Sequence, residues 1–192
     1  MNEAQLFALG ITLAWLAGIR AYLTVFGLGL ASVMGWMELP TAMQVCESPW
    51  VLGTAGVLAL VEFGADKIPG VDSGWDLLQT VLRIPAGAFL ASAALAGAEG
   101  ELSLGWAAAG AGAAMASHTI KSSTRALINT SPEPLSNWAA SATEDVVALS
   151  ALGLAFSHPW LALLLVLSVG IGLLLAVLWL LRRVFRQRPA AA

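Results

Sequence analysis

Residues 159–181 read PWLALLLVLSVGIGLLLAVLWLL, an uncharged apolar run that is closed by Arg182 and Arg183. A helix that crosses the roughly 30 Å hydrocarbon core of a bilayer needs about 20 mainly apolar residues. The run meets this length and has cations at one end only. Residues 159–181 are therefore predicted to form a transmembrane helix.

The composition of the rest of the chain agrees with a membrane protein. Apolar residues make up 58% of the 192 residues and charged residues 11%, against about 45–50% and about 25% in soluble domains. So few charges cannot cover a soluble surface. Leu, Ala and Gly dominate without alternation, which favours spanning helices over barrel strands. The net charge of −3 and the lack of a basic stripe argue against nucleic-acid binding.

The predicted fold is an all-α, polytopic transmembrane helix bundle with six spans. Residues 1–188 form a single transmembrane domain in this interpretation, and residues 189–192 form a disordered tail. Three spans in each half also allow a 3+3 inverted repeat. In each half, a helix with basic residues precedes a helix with acidic residues: Arg20 precedes Glu62 and Asp66, and Lys121 and Arg125 precede Glu144 and Asp145. This shared order can also arise by coincidence. The six predicted spans cover residues 6–36, 50–65, 75–95, 102–127, 136–156 and 159–181.

The distribution of cations predicts the orientation in the membrane. Cytoplasmic loops are enriched in Lys and Arg, so the arginine-rich C-terminus is expected in the cytoplasm. Six spans would then place the N-terminus there as well. The loops predicted on the opposite side contain Glu38, Glu47, Glu99 and Glu101 and no Lys or Arg, which agrees with this arrangement.

Arg20 is the first charge inside a predicted span. A charge at the bilayer centre costs at least about 2.5–3.5 kcal/mol, and Arg20 lies about 21 Å along the helix from Leu6 at 1.5 Å per residue. It is either a contact for an anion in a cavity or a structural ion pair with Glu62 or Glu144. Small residues at Gly10 and Gly18 on this helix predict the close approach of another helix.

Glu62, Asp66 and Lys67 end the second predicted span. Glu62 and Asp66 are four residues apart and share a helix face, so their carboxylates repel unless a cation or a proton lies between them. They are either binding residues or parts of a cytoplasmic loop. Arg83 in the third span is expected to snorkel towards the headgroups.

The fourth predicted span is rich in Gly and Ala up to Ser117, which predicts a central helix packed backbone to backbone. His118, Lys121 and Arg125 then follow at i, i+3 and i+7, on one stripe. With the hydroxyl groups of residues 122–124, this stripe suits a phosphate or a carboxylate. The alternative is a helix end whose cations interact with the helix dipole and anionic lipid headgroups.

Glu144 and Asp145 lie about 12 Å into the fifth predicted span. Adjacent helical residues diverge by about 100°, so we expect one carboxylate to face the stripe on the fourth helix and the other to face Arg20 or a cavity. Paired acids and bases inside a membrane are typical of ion or proton pathways. A purely structural network is the competing interpretation.

Three segments of the chain resemble a known family. They are Gly18-Ile19-Arg20-Ala21-Tyr22-Leu23, Ala65-Asp66-Lys67-Ile68-Pro69-Gly70-Val71-Asp72 with Trp75-Asp76, and His118-Thr119-Ile120-Lys121 with Arg125. The family consists of small, uncharacterised bacterial integral membrane proteins and is classed as a domain of unknown function. The resemblance implies a multi-pass protein of the bacterial inner membrane and supplies no catalytic roles.

The leading functional hypothesis is a carrier or channel-like protein that binds a small polar or anionic group in a central charged cavity. The candidate binding residues are Arg20, Glu62, Asp66, Lys67, His118, Lys121, Arg125, Glu144 and Asp145.

Two alternatives remain open. One is a membrane enzyme that acts on a phosphorylated lipid headgroup, with His118 or Glu62 as the acid or base; the lack of a complete nucleophile–base pair makes an enzyme less favoured. The other is a structural or assembly protein. The expected partners are the lipid bilayer, a small polar or anionic ligand or lipid headgroup, and a second copy of the chain in a homodimer. One cysteine and two separated histidines give no reason to expect a metal or a cofactor.

Overall fold

A computed structural model describes residues 1–68, 70–96, 100–130 and 134–186. Glu99 and the predicted disordered tail lie outside these residues. The described residues form helices and contain no strand. The helices are α1 (Glu3–Val33), a 3₁₀ helix (Thr41–Glu47), α2 (Pro49–Ala65), α3 (Val71–Ala94), α4 (Leu104–Ile128), α5 (Pro134–Ser157) and α6 (Pro159–Arg186).

The first helix does not run straight, because its backbone leaves helical geometry at Arg20. Contacts with α5 and the start of α6 show at which level of the bundle each part of α1 lies. Phe7 contacts Trp160 beyond the end of α5, Arg20 reaches Asp145 in the middle of α5, and Gly27 lies against Leu152 near its end. The chain therefore descends to Arg20 and then returns towards the end at which it began.

The folded α1 places both of its ends at one end of the bundle, which we call the N-terminal end. The described part of α6 finishes at the opposite end, the C-terminal end. The prediction that both termini share one side of the membrane assumed that the first segment crosses once, and it is not confirmed. The side of the membrane that each end faces stays a prediction.

Membrane-helix character is clear, but the six predicted spans and the inverted repeat are not confirmed. Four described helices are long and apolar enough to cross a membrane: α1, α3, α5 and α6. The 3₁₀ helix and α2, bent by 65° at Ser48, together provide a fifth candidate. The 25-residue α4 is not among the candidates, because Gly, Ala and the polar stripe replace the usual aliphatic residues.

The centre of the bundle is the first half of α1, where Leu9, Leu13 and Leu16 are fully buried. Beside it, α3 and α4 pack very closely: a Cβ atom on Gly110 would lie 2.3 Å from the carbonyl oxygen of Gly87. The predicted backbone-to-backbone packing of the fourth helix is confirmed. Its predicted central position is wrong, because its other face, which includes Met115, is exposed.

Candidate functional site

Polar side chains of α4 support the break in α1. Carbonyl groups at a broken helix end need hydrogen-bond donors. The Ser117 Oγ donates to the carbonyl of Trp15 at 2.7 Å. The Lys121 Nζ donates to the carbonyl of Ile19 at 3.2 Å. These contacts stabilise the end of the first half of α1 directly before Arg20.

A glycine allows α4 to come this close. A Cβ atom on Gly18 would lie 1.9 Å from the Ser117 Oγ and 2.2 Å from the carbonyl oxygen of Ala114. Gly10, earlier in the same helix, lies close to α3: a Cβ atom there would lie 3.3 Å from the Cα atom and the carbonyl oxygen of Ala91. The close approach predicted along residues 10–18 is therefore confirmed, and it brings Lys121 to the break.

Asp66, directly after α2, joins three elements. Its carboxylate is fully buried and pairs with Arg20 and with Lys121, the latter at 2.7 Å. Its backbone carbonyl accepts a hydrogen bond from Arg125 Nη1 at 3.1 Å. Glu62 and Asp66 therefore each pair with a cation: Asp66 pairs with Arg20 and Lys121, and Glu62 pairs with Arg83.

Glu144 and Asp145 diverge as predicted. Glu144 faces α4 and accepts hydrogen bonds from Arg125 at 2.9 and 3.1 Å. Asp145 faces α1 and lies 2.8 Å from Arg20 Nη2. Lys67 lies 3.5 Å from Asp145. The two adjacent acids therefore bind cations from different helices.

Arg83 does not snorkel, and the expectation that it would is wrong. It is fully buried and donates to Glu62 at 2.6 Å, to Asp76 at 2.7 Å and to Gln79 at 2.8 Å. Its Nη1 also lies 3.1 Å from Nδ1 of His118. Internal partners satisfy the guanidinium group, so it has no need to reach the headgroups.

The polar face of α3 carries a signal that sequence reasoning missed. Asp72, Asp76, Gln79 and Arg83 recur at i, i+4, i+7 and i+11, the spacing of one helix face. All four are at most 2% exposed. Their period could have placed this face of α3 towards the charged residues of α4.

His118 contacts two residues of α3, Arg83 and Thr80, and these contacts indicate which ring nitrogen carries the proton. Arg83 can only donate, so Nδ1 of His118 is the acceptor at 3.1 Å. The ring proton then lies on Nε2, which contacts the Thr80 Oγ1 at 2.8 Å. That hydroxyl donates to the carbonyl of Asp76. In this tautomer, the Nε2–H of His118 donates to the Thr80 hydroxyl group.

Two asparagines link the helix ends near the network. Asn129 donates to the carboxylate of Asp72 at 3.0 and 3.1 Å. Asn137 donates to Asn129 at 2.7 Å and accepts from Arg125 at 3.1 Å. Neither asparagine was predicted, since Asn is common at helix ends and gives no distinct signal.

All nine predicted site residues belong to this ion network, together with Arg83, Asp72 and Asp76. Ion pairs that leave water are tolerated when both charges are partnered. Three carboxylate oxygens, Glu62 Oε2, Asp66 Oδ1 and Asp76 Oδ2, nevertheless have no partner among the described protein atoms. The charged members that are at most 3% exposed are Arg20, Arg83, Lys121, Arg125, Glu62, Asp66, Asp72 and Asp76.

Three grooves reach the network from different sides. One, with a volume of about 330 Å³, is lined by Asp76, His118 and Arg125. The α6 groove, with a volume of about 180 Å³, lies between α1, α4, α5 and α6 and is lined by Lys121 and Glu144. The α2 groove, with a volume of about 480 Å³, lies between the second half of α1, α2 and α5 and is lined by Arg20, Glu62 and Asp145. The remaining walls of the α6 groove and the α2 groove are mainly apolar.

The described residues contain no group of three or more His, Cys, Asp or Glu side chains placed to hold a metal ion. The arrangement instead offers closely spaced hydrogen-bond donors and acceptors of both charges.

The family model for a domain of unknown function, DUF4126, matches residues 7–183. The chain belongs to the DUF4126 family. This confirms the family resemblance drawn from the sequence, and the match covers every element of the ion network. No curated protein and no solved structure matches this DUF4126 chain.

Proposed function

We propose that this DUF4126 chain is a small carrier of the bacterial inner membrane that binds a small polar solute at the ion network. The observation that carries the proposal is the break in α1 at Arg20, beside buried acids and bases from four other helices. Discontinuous helices whose ends meet a polar site are a recurring feature of transporters. Burying a charged side chain inside a membrane costs free energy, so such residues are usually paired with an opposite charge and often have a functional role.

The charge balance favours a polar solute over a free anion. Arg20, Lys121 and Arg125, which could attract an anion, each lie within 4 Å of a carboxylate. An anion would have to displace one of these carboxylates and leave it unpaired. A neutral or zwitterionic solute can instead use the three unpartnered carboxylate oxygens without changing the net charge.

The network also suits a change of conformation. Lys121 lies 2.7 Å from Asp66, 3.3 Å from Asp76 and 3.5 Å from Glu144. A cation with several carboxylate partners can exchange one carboxylate for another without becoming unpaired. This lowers the free-energy cost of a conformational change. The break at Arg20 is the natural hinge, since its backbone already departs from the helix.

Purified protein in liposomes tests the proposal directly. We expect saturable uptake of at least one of three radiolabelled probes, glycine, glycerol and urea, and no uptake of phosphate. Glu144→Gln, which removes a partner of Arg125, should reduce the rate by about tenfold or more. Glu38→Gln is the matched control, because Glu38 is exposed and outside the network.

The absence of uptake above that of empty liposomes, or equal rates in the wild type and Glu144→Gln, would reject the carrier.

One observation would then favour a structural role: every cation of the network has a carboxylate within 4 Å. The enzyme alternative has weaker support, because the lone pair of His118 Nδ1 is occupied by Arg83.

A further inference from the structure

The α2 groove has features that solute carriage does not explain. Its walls are apolar and include Leu23, Phe26, Leu52 and Leu149. Its rim is formed by residues such as Leu60, 74% of which is exposed. In a membrane, this rim faces the acyl chains of lipids. The groove is therefore open to a molecule that arrives from within the bilayer.

The floor of the groove is polar and incompletely satisfied. Arg20 and Glu62 line it and are 2% and 1% exposed. Arg20 Nε has no hydrogen-bond acceptor and Glu62 Oε2 has no donor among the described protein atoms. A buried polar atom without a partner costs about 1–3 kcal/mol. One unsatisfied donor and one unsatisfied acceptor thus belong to two residues that line the same groove.

The charges of these two residues are already neutralised. Arg20 pairs with Asp66 and Asp145, and Glu62 pairs with Arg83 at 2.6 Å. A charged headgroup beside these neutralised side chains would bring an additional unpaired charge into a region of low dielectric constant, whereas an uncharged headgroup would not.

We infer that the α2 groove binds an amphiphile with a single apolar chain and an uncharged hydroxyl headgroup. The hydroxyl group accepts a hydrogen bond from Arg20 Nε and donates one to Glu62 Oε2. The chain lies along the apolar walls and leaves at the rim. This site shares Arg20 and Glu62 with the ion network, but its test measures labelling of the groove and does not depend on solute uptake.

Gly53 provides a way to block the groove. It lines the groove, and a Cβ atom there would have no protein atom within 4 Å. A larger side chain at this position can therefore occupy the groove without disturbing the packing. Gly112 on α4 has the same open surroundings but does not line the groove, which makes Gly112→Phe the matched control for Gly53→Phe.

The test uses full-length protein in lipid nanodiscs and a sixteen-carbon primary alcohol with a diazirine in its chain. After illumination, we expect the label on peptides of α2 and α5. Hexadecanol should compete with the label at about a tenfold lower concentration than palmitate or hexadecyltrimethylammonium. Gly53→Phe should reduce labelling by about tenfold, and Gly112→Phe should leave it unchanged.

Leu149→Trp, on the opposite wall of the groove, is a second blocking variant if Gly53→Phe lowers the thermal stability. Labelling of both blocked variants at the wild-type level would overturn the site. Equal competition by either charged amphiphile would overturn the assignment of the headgroup. Solute uptake, measured separately in liposomes, reports on the carrier proposal and leaves this result independent.

Discussion

Helices α4 and α6 run in the same direction through the bundle but differ in what they contribute. α6 is almost entirely aliphatic and exposes Leu164, Leu175 and Trp179. α4 buries Ser117, His118, Lys121 and Arg125. The helix with the stronger membrane signal thus mainly contacts lipid, while the helix with the weaker signal holds the polar interior. Membrane propensity and structural importance are therefore separate properties in this chain.

The largest difference is expected between two arginines, one on each helix. Arg125→Leu leaves Glu144 without its closest cation and should lower the free energy of unfolding by about 3–5 kcal/mol. Arg183→Leu removes only an exposed cation 5.4 Å from the Trp179 ring and should change it by less than about 0.5 kcal/mol. Unfolding by SDS, followed by circular dichroism, measures both. Similar losses would end the contrast.

Two glycines test the packing of the same helices. Gly110→Ala forces a methyl group against the carbonyl of Gly87, 2.3 Å away, and should destabilise the protein by about 1–3 kcal/mol. Gly172→Ala on α6 meets no atom within 4 Å and should be neutral. Thermal unfolding in detergent provides the comparison. A neutral Gly110→Ala would indicate that α3 and α4 are less closely packed.

Two serines should give a smaller difference. Ser117→Ala removes the donor to the carbonyl of Trp15, at a cost of about 1 kcal/mol. The exposed Ser168 donates only within α6, to the carbonyl of Leu165, so Ser168→Ala should cost much less. The same unfolding assay applies. An equal cost for both would remove the argument that α4 supports the break in α1.

The last prediction concerns orientation and should leave stability almost unchanged. Ala4→Cys and Arg182→Cys, each in a Cys46→Ala background, mark the N-terminal and C-terminal ends of the bundle. Because α1 folds back while α6 crosses, a membrane-impermeant maleimide should label Ala4→Cys from outside intact cells. Arg182→Cys should react only after the cells are broken. Labelling of both from one side would show that α1 crosses the membrane.

Much of the architecture could be predicted from the sequence. The composition and residues 159–181 indicate a helical membrane protein, and the charges inside predicted spans identify residues that meet in the network. The divergence of Glu144 and Asp145 follows from helix geometry alone. The binding roles of these residues stay predictions.

One feature could not be read in the same way. The return of α1 at Arg20 has no local cause, since neither Gly nor Pro occupies the break; ion pairs with residues far along the chain hold it. Without that return, the sequence predicts six crossings and an N-terminus on the same side as the C-terminus, and neither prediction is confirmed. The period of Asp76 and Arg83 on α3, in contrast, was present in the sequence and readable.

The folded first helix has a consequence for biosynthesis. Arg20 leaves the ribosome before its partners, since Asp66 follows 46 residues later and Ser141 follows 121 residues later. Until those residues arrive, the tip of the folded helix would carry a bare cation into the lipid. The segment around Arg20 must therefore wait for residues synthesised much later before it reaches its native depth.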